Sequence, residues 1–276
     1  MRVCASLLLF VLALGCSPQA LIERLEWPVM GTVAAVQTRG ATADELSAAV
    51  KATRESFSRI ERLLNAHNPN SELNRLAALS DEEILAQCDE QVRPCYEMAF
   101  ELMRKSGGAF NPRWRGPGTL DLGAIAKGFA VDEAVADLGW PIGAPGLLLD
   151  LGGNLFAVNG SWRTQIAGTD VQLLLNEGMT CATSAEYYRG KHIYDGRTGR
   201  AVSNGVASVT VEVAGSAMEA DGLSTTLFVL GPEEGKRFLD EKWKTVGVQA
   251  VWFMKDGRCI SHLSCAGMMP QATTHP

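Results

Sequence analysis

The chain is short of positive charge. Lys and Arg number 25 against 31 Asp and Glu, for a net charge of −6, and no Lys/Arg cluster interleaves with aromatic residues. That balance excludes the electrostatic footprint of a nucleic-acid binder. Seven cysteines are present, yet none forms a CxxC pair, which removes a zinc ribbon or a thioredoxin-like redox motif. No internal repeat or low-complexity block occurs, and charges of both signs are mixed along the chain. After the N-terminus, no run reaches the roughly 18 apolar residues that a spanning helix needs. Neither a Walker A loop nor a GxGxxG dinucleotide fingerprint is present. Histidines number only 4, and no Ser/His/Asp or Cys/His order of a nucleophilic site is legible.

What is present suits a globular protein. Of 276 residues, 46% are hydrophobic, enough for a real core in one large domain or two small ones. The N-terminus carries its own signal. Met1-Arg2 is a short basic region and residues 3–14 are an apolar run. That run is too short to span a bilayer and has the length of a signal-peptide core. It ends in Ala13-Leu14-Gly15-Cys16, which resembles a bacterial lipoprotein signal, with Ala13 where Leu is usual. We therefore expect a leader over residues 1–16 ending at a lipidated Cys16, and one domain over 17–276; an ordinary cleaved signal is the alternative. Such a protein would sit on the periplasmic face of a bacterial membrane, inner or outer. Cys4 would leave with the leader. An exported compartment permits disulfides, and Cys88 with Cys95, or Cys259 with Cys265, could pair, although spacing does not establish either. With Cys181, the odd remaining count leaves at least one free thiol.

Helices dominate the first half of the pattern. A strand is expected over 33–37, then a helix over 44–64 with Leu46, Val50, Phe57, Ile60 and Leu64 on one face. A turn follows over 65–71, then a helix over 90–105 stopped by Gly107-Gly108 and another over 124–138. Strands crowd the second half: 146–151, 155–158, 162–167, 171–175, 180–184 and 207–213, the last alternating Val209, Val211 and Val213 with polar residues. A helix over 216–230 closes at Gly231-Pro232. Strands over 246–253 and 259–262 flank an Asp256-Gly257 turn. Runs of helices followed by runs of strands predict an α+β fold rather than an alternating doubly wound one.

Three segments carry chemistry. In Ala220-Asp221-Gly222-Leu223-Ser224-Thr225, Asp221 and Thr225 lie four apart on a helix and point the same way. Both are hard oxygen donors suited to magnesium shared with phosphates; a local helix hydrogen bond would use the same pair. In Leu120-Asp121-Leu122-Gly123-Ala124-Ile125-Ala126-Lys127-Gly128, glycines bracket a turn that opens a helix. Amides at a helix start attract phosphate and Lys127 adds charge, or the segment is a plain loop-to-helix junction. The third runs from Thr183-Ser184-Ala185-Glu186 to His192-Ile193-Tyr194-Asp195-Gly196-Arg197-Thr198-Gly199. His192 there is either a general base or a structural histidine.

Taken in order, these segments resemble the ApbE family, the FAD:protein FMN transferases, from Met30-Gly31-Thr32 to about Gly231. The resemblance implies a single compact unit with FAD between a helical first half and a strand-rich second half. It implies a metal site of Asp221, Thr225 and the backbone carbonyl of Ala124, holding Mg2+. It implies FAD contacts at Met30, His67, Ala109, Phe110, Asn111, Asp121, Lys127 and Ile193, with His192 as the catalytic base. The implied reaction is magnesium-dependent transfer of the FMN half of FAD to a threonine of an exported or membrane redox protein, with release of AMP. The implied partner is an FMN-acceptor protein, such as a membrane redox subunit or an exported FMN-binding domain. The same site could instead act as an FAD pyrophosphatase giving FMN and AMP, or bind FAD without turnover.

The chain departs from the family pattern in several places. Asn111 and Asp121 are close in sequence where the family has a long stretch. Asn111 replaces an aspartate, His67 an aromatic residue, Gly196 a proline and Ala185 a glycine.

Overall fold

The computed structural model describes residues 22–166, 168–186, 190, 192–245, 247–262 and 268–270. The leader segment with Cys16, and Cys265, lie outside the described residues. The first elements are a hairpin of β1 (Ile22–Val29) and β2 (Thr32–Arg39), then α1 (Ala43–Leu64), α2 (Glu72–Leu76), α3 (Asp81–Gln87), α4 (Arg93–Lys105) and α5 (Ala126–Leu138). There follow β3 (Gly146–Leu151), β4 (Asn154–Asn159), β5 (Trp162–Gln165), β6 (Val171–Leu175), β7 (Met179–Ala185), β8 (Tyr194–Asp195), β9 (Arg200–Ala201) and β10 (Val206–Ala214). The last are α6 (Ala217–Arg237), a π-helical turn over Phe238–Lys242, β11 (Gln249–Met254), β12 (Cys259–His262) and β13 (Met268–Pro270). The fold is α+β, as expected.

An eight-stranded sheet orders its strands β1-β2-β3-β4-β7-β10-β11-β12, and every neighbouring pair is antiparallel. Met30 and Gly31 form the two-residue turn of the first hairpin, with φ of 50° and 66°. Two positive φ values in a two-residue loop match the right-handed twist of the flanking strands. The register puts Trp27, Ala34 and Val36 on one face, where they join the main core with Phe57 and Ile60 of α1 and Val209, Val211 and Val213 of β10. The opposite face meets a small sheet, β13-β6-β5, through a second cluster of Leu148, Leu155, Trp162, Leu173, Leu175 and Phe253. The large sheet is thus covered on both faces.

That double cover encloses both faces of β10. Its valines alternate with Ser208, Thr210 and Glu212, and these polar residues are buried as well. β10 lies inside the sheet, between β7 and β11, so its polar residues are enclosed with its valines.

Helix ends follow their chemistry. Thr42 and Glu45 close a capping box at the start of α1, and Ser80 and Glu83 do the same for α3. α6 extends past residue 230, but Gly231 (φ 71°, ψ 176°) breaks it into two helical pieces before Pro232. The break falls where the sequence marked the helix end. Cys88 caps α3 and Cys95 lies in the first turn of α4. Both are buried free thiols, so the pairing considered for them is absent. Cys181 is also a buried free thiol, and Cys259 is free and exposed. No helix among the described residues is long and apolar enough to cross a membrane.

Candidate functional site

The site forms where the start of α5 crosses the first turns of α6. Gly128 makes the crossing close: a Cβ there would stand 2.1 Å from the Ala217 carbonyl oxygen and 2.8 Å from the Asp221 Cβ. One turn later on α5, Asp132 secures the start of α6. Its Oδ1 accepts from the Ala217 N–H at 2.7 Å. Its Oδ2 accepts from the Met218 N–H at 3.0 Å and the Ser216 hydroxyl at 3.1 Å. Burial pushes the Asp132 pKa up to about 6 even though these donors favour the ionised form. A carboxylate at a helix N-terminus also meets the positive end of the helix dipole.

This crossing brings Lys127 to Asp221, 94 residues away in sequence. Asp221 is 4% exposed. A carboxylate that far from water needs partners, and three contacts supply them. The Gly128 N–H donates to Oδ2 at 3.0 Å. The Lys127 ammonium donates to Oδ2 at 3.2 Å and to Oδ1 at 3.3 Å. Lys127 Nζ also donates to the Gly123 carbonyl at 2.9 Å. Half-buried Ala124 follows Gly123 in the exposed turn that opens α5.

Thr225 is one turn further along α6 and half-buried. Its hydroxyl lies 3.0 Å from that of Ser184 on β7, which lies 2.8 Å from the hydroxyl of Ser224. Ser224 in turn donates to the Asp221 carbonyl at 2.9 Å. Ser184 and Ser224 therefore tie Thr225 to the turn that carries Asp221. Both stand in segments singled out in the sequence, but neither was given a role there. The Ser184 signal was the strand register that faces β7 toward α6, which no local motif reveals.

A second group forms where residues 109–121 meet residues 193–199. Ala109 and Phe110 are buried in the core and so is Ile193. The Gly196 N–H donates to the Ala109 carbonyl at 3.1 Å. The Asn111 amide donates to the Gly196 carbonyl at 3.2 Å. A Cβ on Gly196 would stand 2.3 Å from the Asn111 Cβ. Asn111 and Gly196 thus go together: the carboxamide supplies a donor that aspartate lacks, and only glycine admits the close approach. Beyond Asn111 the short segment is pinned by Arg113, which donates to the Ala77 and Leu79 carbonyls and to Asp81. Trp114 stacks on Tyr194 with ring centroids 4.1 Å apart. Asp121 accepts from the Gly123 N–H at 2.9 Å and from the Trp114 indole at 3.3 Å, and it forms an ion pair with Arg115 at 3.0 Å. Trp114 and Arg115 were not anticipated, since nothing in a ten-residue turn predicts what it folds against.

His192 is exposed. Its Nδ1 lies 2.8 Å from the Gly190 carbonyl oxygen. A carbonyl can only accept, so in the neutral ring Nδ1 carries the proton and Nε2 keeps its lone pair for an incoming proton. Met30 is half-buried, and its N–H donates to Glu61 of α1 at 3.0 Å. His67 is exposed in the loop before α2, its N–H on the Asn65 side chain. No hydrogen bond among the described residues ties either one to the Lys127–Asp221 group.

The donor chemistry fits a hard divalent ion. It offers one buried carboxylate, a threonine hydroxyl and a backbone carbonyl. Among the described residues there is no group of three His, Cys, Asp or Glu that would build an all-protein cage. Magnesium typically takes one or two carboxylates and completes its shell with phosphate and water.

Comparison with known proteins identifies the family. The ApbE family model matches residues 30–117 and 113–252. An FAD:protein FMN transferase of Vibrio cholerae is 38% identical over 135 residues, 42% of this chain and 40% of the relative. A protein of the same name from Klebsiella pneumoniae is 32% identical over 157 residues, 50% of this chain and 43% of the relative. The chain matches less than half the length of these curated relatives. The flavinyl transferase ApbE of Pseudomonas stutzeri superposes with a TM-score of 0.70 at 23% identity, covering 88% of this chain and 94% of that one. The flavin transferase ApbE of Vibrio cholerae gives 0.69 at 21%, covering 88% and 97%. With the family model spanning most of the chain and the same fold in solved members, this protein belongs to the ApbE family.

Proposed function

We propose that this protein transfers the FMN half of FAD to a threonine of an acceptor protein, in a magnesium-dependent reaction that releases AMP. The observation that carries the reading is the meeting of Lys127, the start of α5 and buried Asp221 across the helix crossing. Asp221 and Thr225, with the Ala124 carbonyl, would hold the ion. A magnesium ion held by these groups would supply positive charge to offset the negative charge that develops as the bridging bond breaks. The amides at the start of α5 and Lys127 orient the phosphates. The acceptor hydroxyl oxygen bonds to the FMN-side phosphorus and the bridging P–O bond breaks. AMP leaves with the bridging oxygen, and His192 Nε2 takes the threonine proton. Asp121 and the backbone of residues 109–111 would line the FAD site, with Met30, His67 and Ile193 as further contacts.

The acceptor belongs to the class of membrane redox subunits or exported FMN-binding domains. A lipid on Cys16 would hold the enzyme on the periplasmic face of a bacterial membrane, beside such targets. The test combines purified protein, FAD, Mg2+ and a threonine-containing FMN-acceptor domain, with the acceptor weighed by intact mass spectrometry. We expect a gain of one FMN phosphoester that is lost on chelation and lost in Asp221→Ala. An unmodified acceptor with free FMN and AMP would instead identify a pyrophosphatase.

A further inference from the structure

We propose that Lys127 is a resident counter-ion that contends with the divalent metal for Asp221, so that the metal binds tightly only once a pyrophosphate draws the ammonium away. This rests on the metal reading of Asp221 given above. Three oxygens surround Nζ: both carboxylate oxygens of Asp221 at 3.3 and 3.2 Å and the Gly123 carbonyl at 2.9 Å. An ammonium has three N–H donors, and these contacts use all three. A carboxylate edge beside a backbone carbonyl is also what a hard cation takes. The two cations therefore seek the same oxygens.

Charge sharpens the competition. Asp221 contributes one negative charge and Lys127 cancels it, and no group of three His, Cys, Asp or Glu surrounds it among the described residues. A divalent ion that arrives alone meets a neutralised pair and the repulsion of a fixed ammonium. A pyrophosphate changes both terms, since it adds negative charge for the ion and a new partner for Lys127. The lysine is able to respond. Its side chain is 21% exposed, it turns on a flexible four-carbon stem, and Gly123 lies at the surface. Asp221 itself stays in place, because the Gly128 N–H holds Oδ2 at 3.0 Å independently of Lys127. Metal and dinucleotide then bind with positive coupling, and each must raise the affinity of the other by the same factor.

The test needs no turnover. Mn2+ serves as the probe, and free Mn2+ is read by electron paramagnetic resonance at pH 8 without nucleotide. We compare wild-type protein with Lys127→Met, Lys127→Gln and Asp221→Asn, each checked for a wild-type circular-dichroism spectrum. The expected result is weak uptake by wild-type protein, at least roughly tenfold tighter uptake by both lysine variants, within the usual range of coupling, and loss of that gain when Asp221→Asn is added to Lys127→Met. Lysine variants that bind Mn2+ no tighter than wild type, or not measurably, overturn the competition while leaving Asp221 as a ligand if Asp221→Asn weakens wild-type uptake. Unchanged uptake in Asp221→Asn overturns the metal reading itself, and the competition with it.

Discussion

Glu212 lies on β10 inside the large sheet, 4% exposed, with Cys181 of β7 on one side and Gln249 of β11 on the other. Burial raises its pKa from 4.5 to about 6. Below the unfolded value both states are protonated and the group costs nothing. Above about pH 6 the folded protein must carry the buried charge, so the cost is then fully present. Glu212→Gln should therefore stabilise the protein at pH 8 by about 2 kcal/mol, on the scale of 1.4 kcal/mol per pKa unit. The gain over wild type in thermal or urea unfolding should shrink as the pH falls from about 6 to about 4.5; a gain independent of pH would show that charge is not its source. His192 makes a different prediction. With Nδ1 committed to Gly190, His192→Ala removes the free Nε2, and transfer should slow by about 100-fold or more with little change in the dissociation constant for FAD. An equal loss in both would make it a binding residue. Single residues also show where sequence reading stops. The spacing of Asp221 and Thr225 pointed to one helix face. The roles of Ser184, Trp114 and Asp132 exist only through contacts between distant segments, so no local pattern could announce them.

Among elements, the crossing of α5 over α6 is held by Gly128 and Asp132 together. Gly128→Ala gains helix propensity, about 1 kcal/mol, but its methyl group has no room against the Ala217 carbonyl. Sterics win: forcing the helices apart should cost about 1–3 kcal/mol, lowering the melting temperature by several degrees and weakening Mn2+ uptake. Unchanged stability would mean that the helices part freely. The elements themselves were unequally legible. β3 and β6 appear at the residues expected, because their apolar runs end at turn residues. α1 appears within a residue, because its buried positions recur every three or four residues. β1 was missed because it is an edge strand, and five of its eight residues are exposed, so it lacks an alternating face. α2 and α3 were missed because they are too short for periodicity; the capping pair Ser80 and Glu83 was the signal that could have found α3.

At the scale of the whole molecule, the two covered faces of the sheet leave the proposed dinucleotide site at one helix crossing, fed by segments from both halves of the chain. Occupancy of such a site should report on global stability. FAD with Mg2+ at about 100 times its dissociation constant should add about 2.7 kcal/mol, a rise of roughly 5–10 °C in melting temperature for a protein of this size. FAD with chelator should give clearly less, and an identical shift with and without Mg2+ would remove the ion from the site. The α+β class was readable from the order of patterns, whereas the three-layer arrangement was not, because β5 and β6 look in sequence like further strands of one sheet. The 94-residue separation between Lys127 and Asp221 also sets a timetable. A chain growing from its N-terminus makes α5 and the segment before it early, but the carboxylate they need comes with α6, after β3 to β10 have been made. On the proposed metal reading, binding capacity would arrive late in synthesis, since a nascent chain that ends before α6 lacks both the Asp221 carboxylate and the Thr225 hydroxyl.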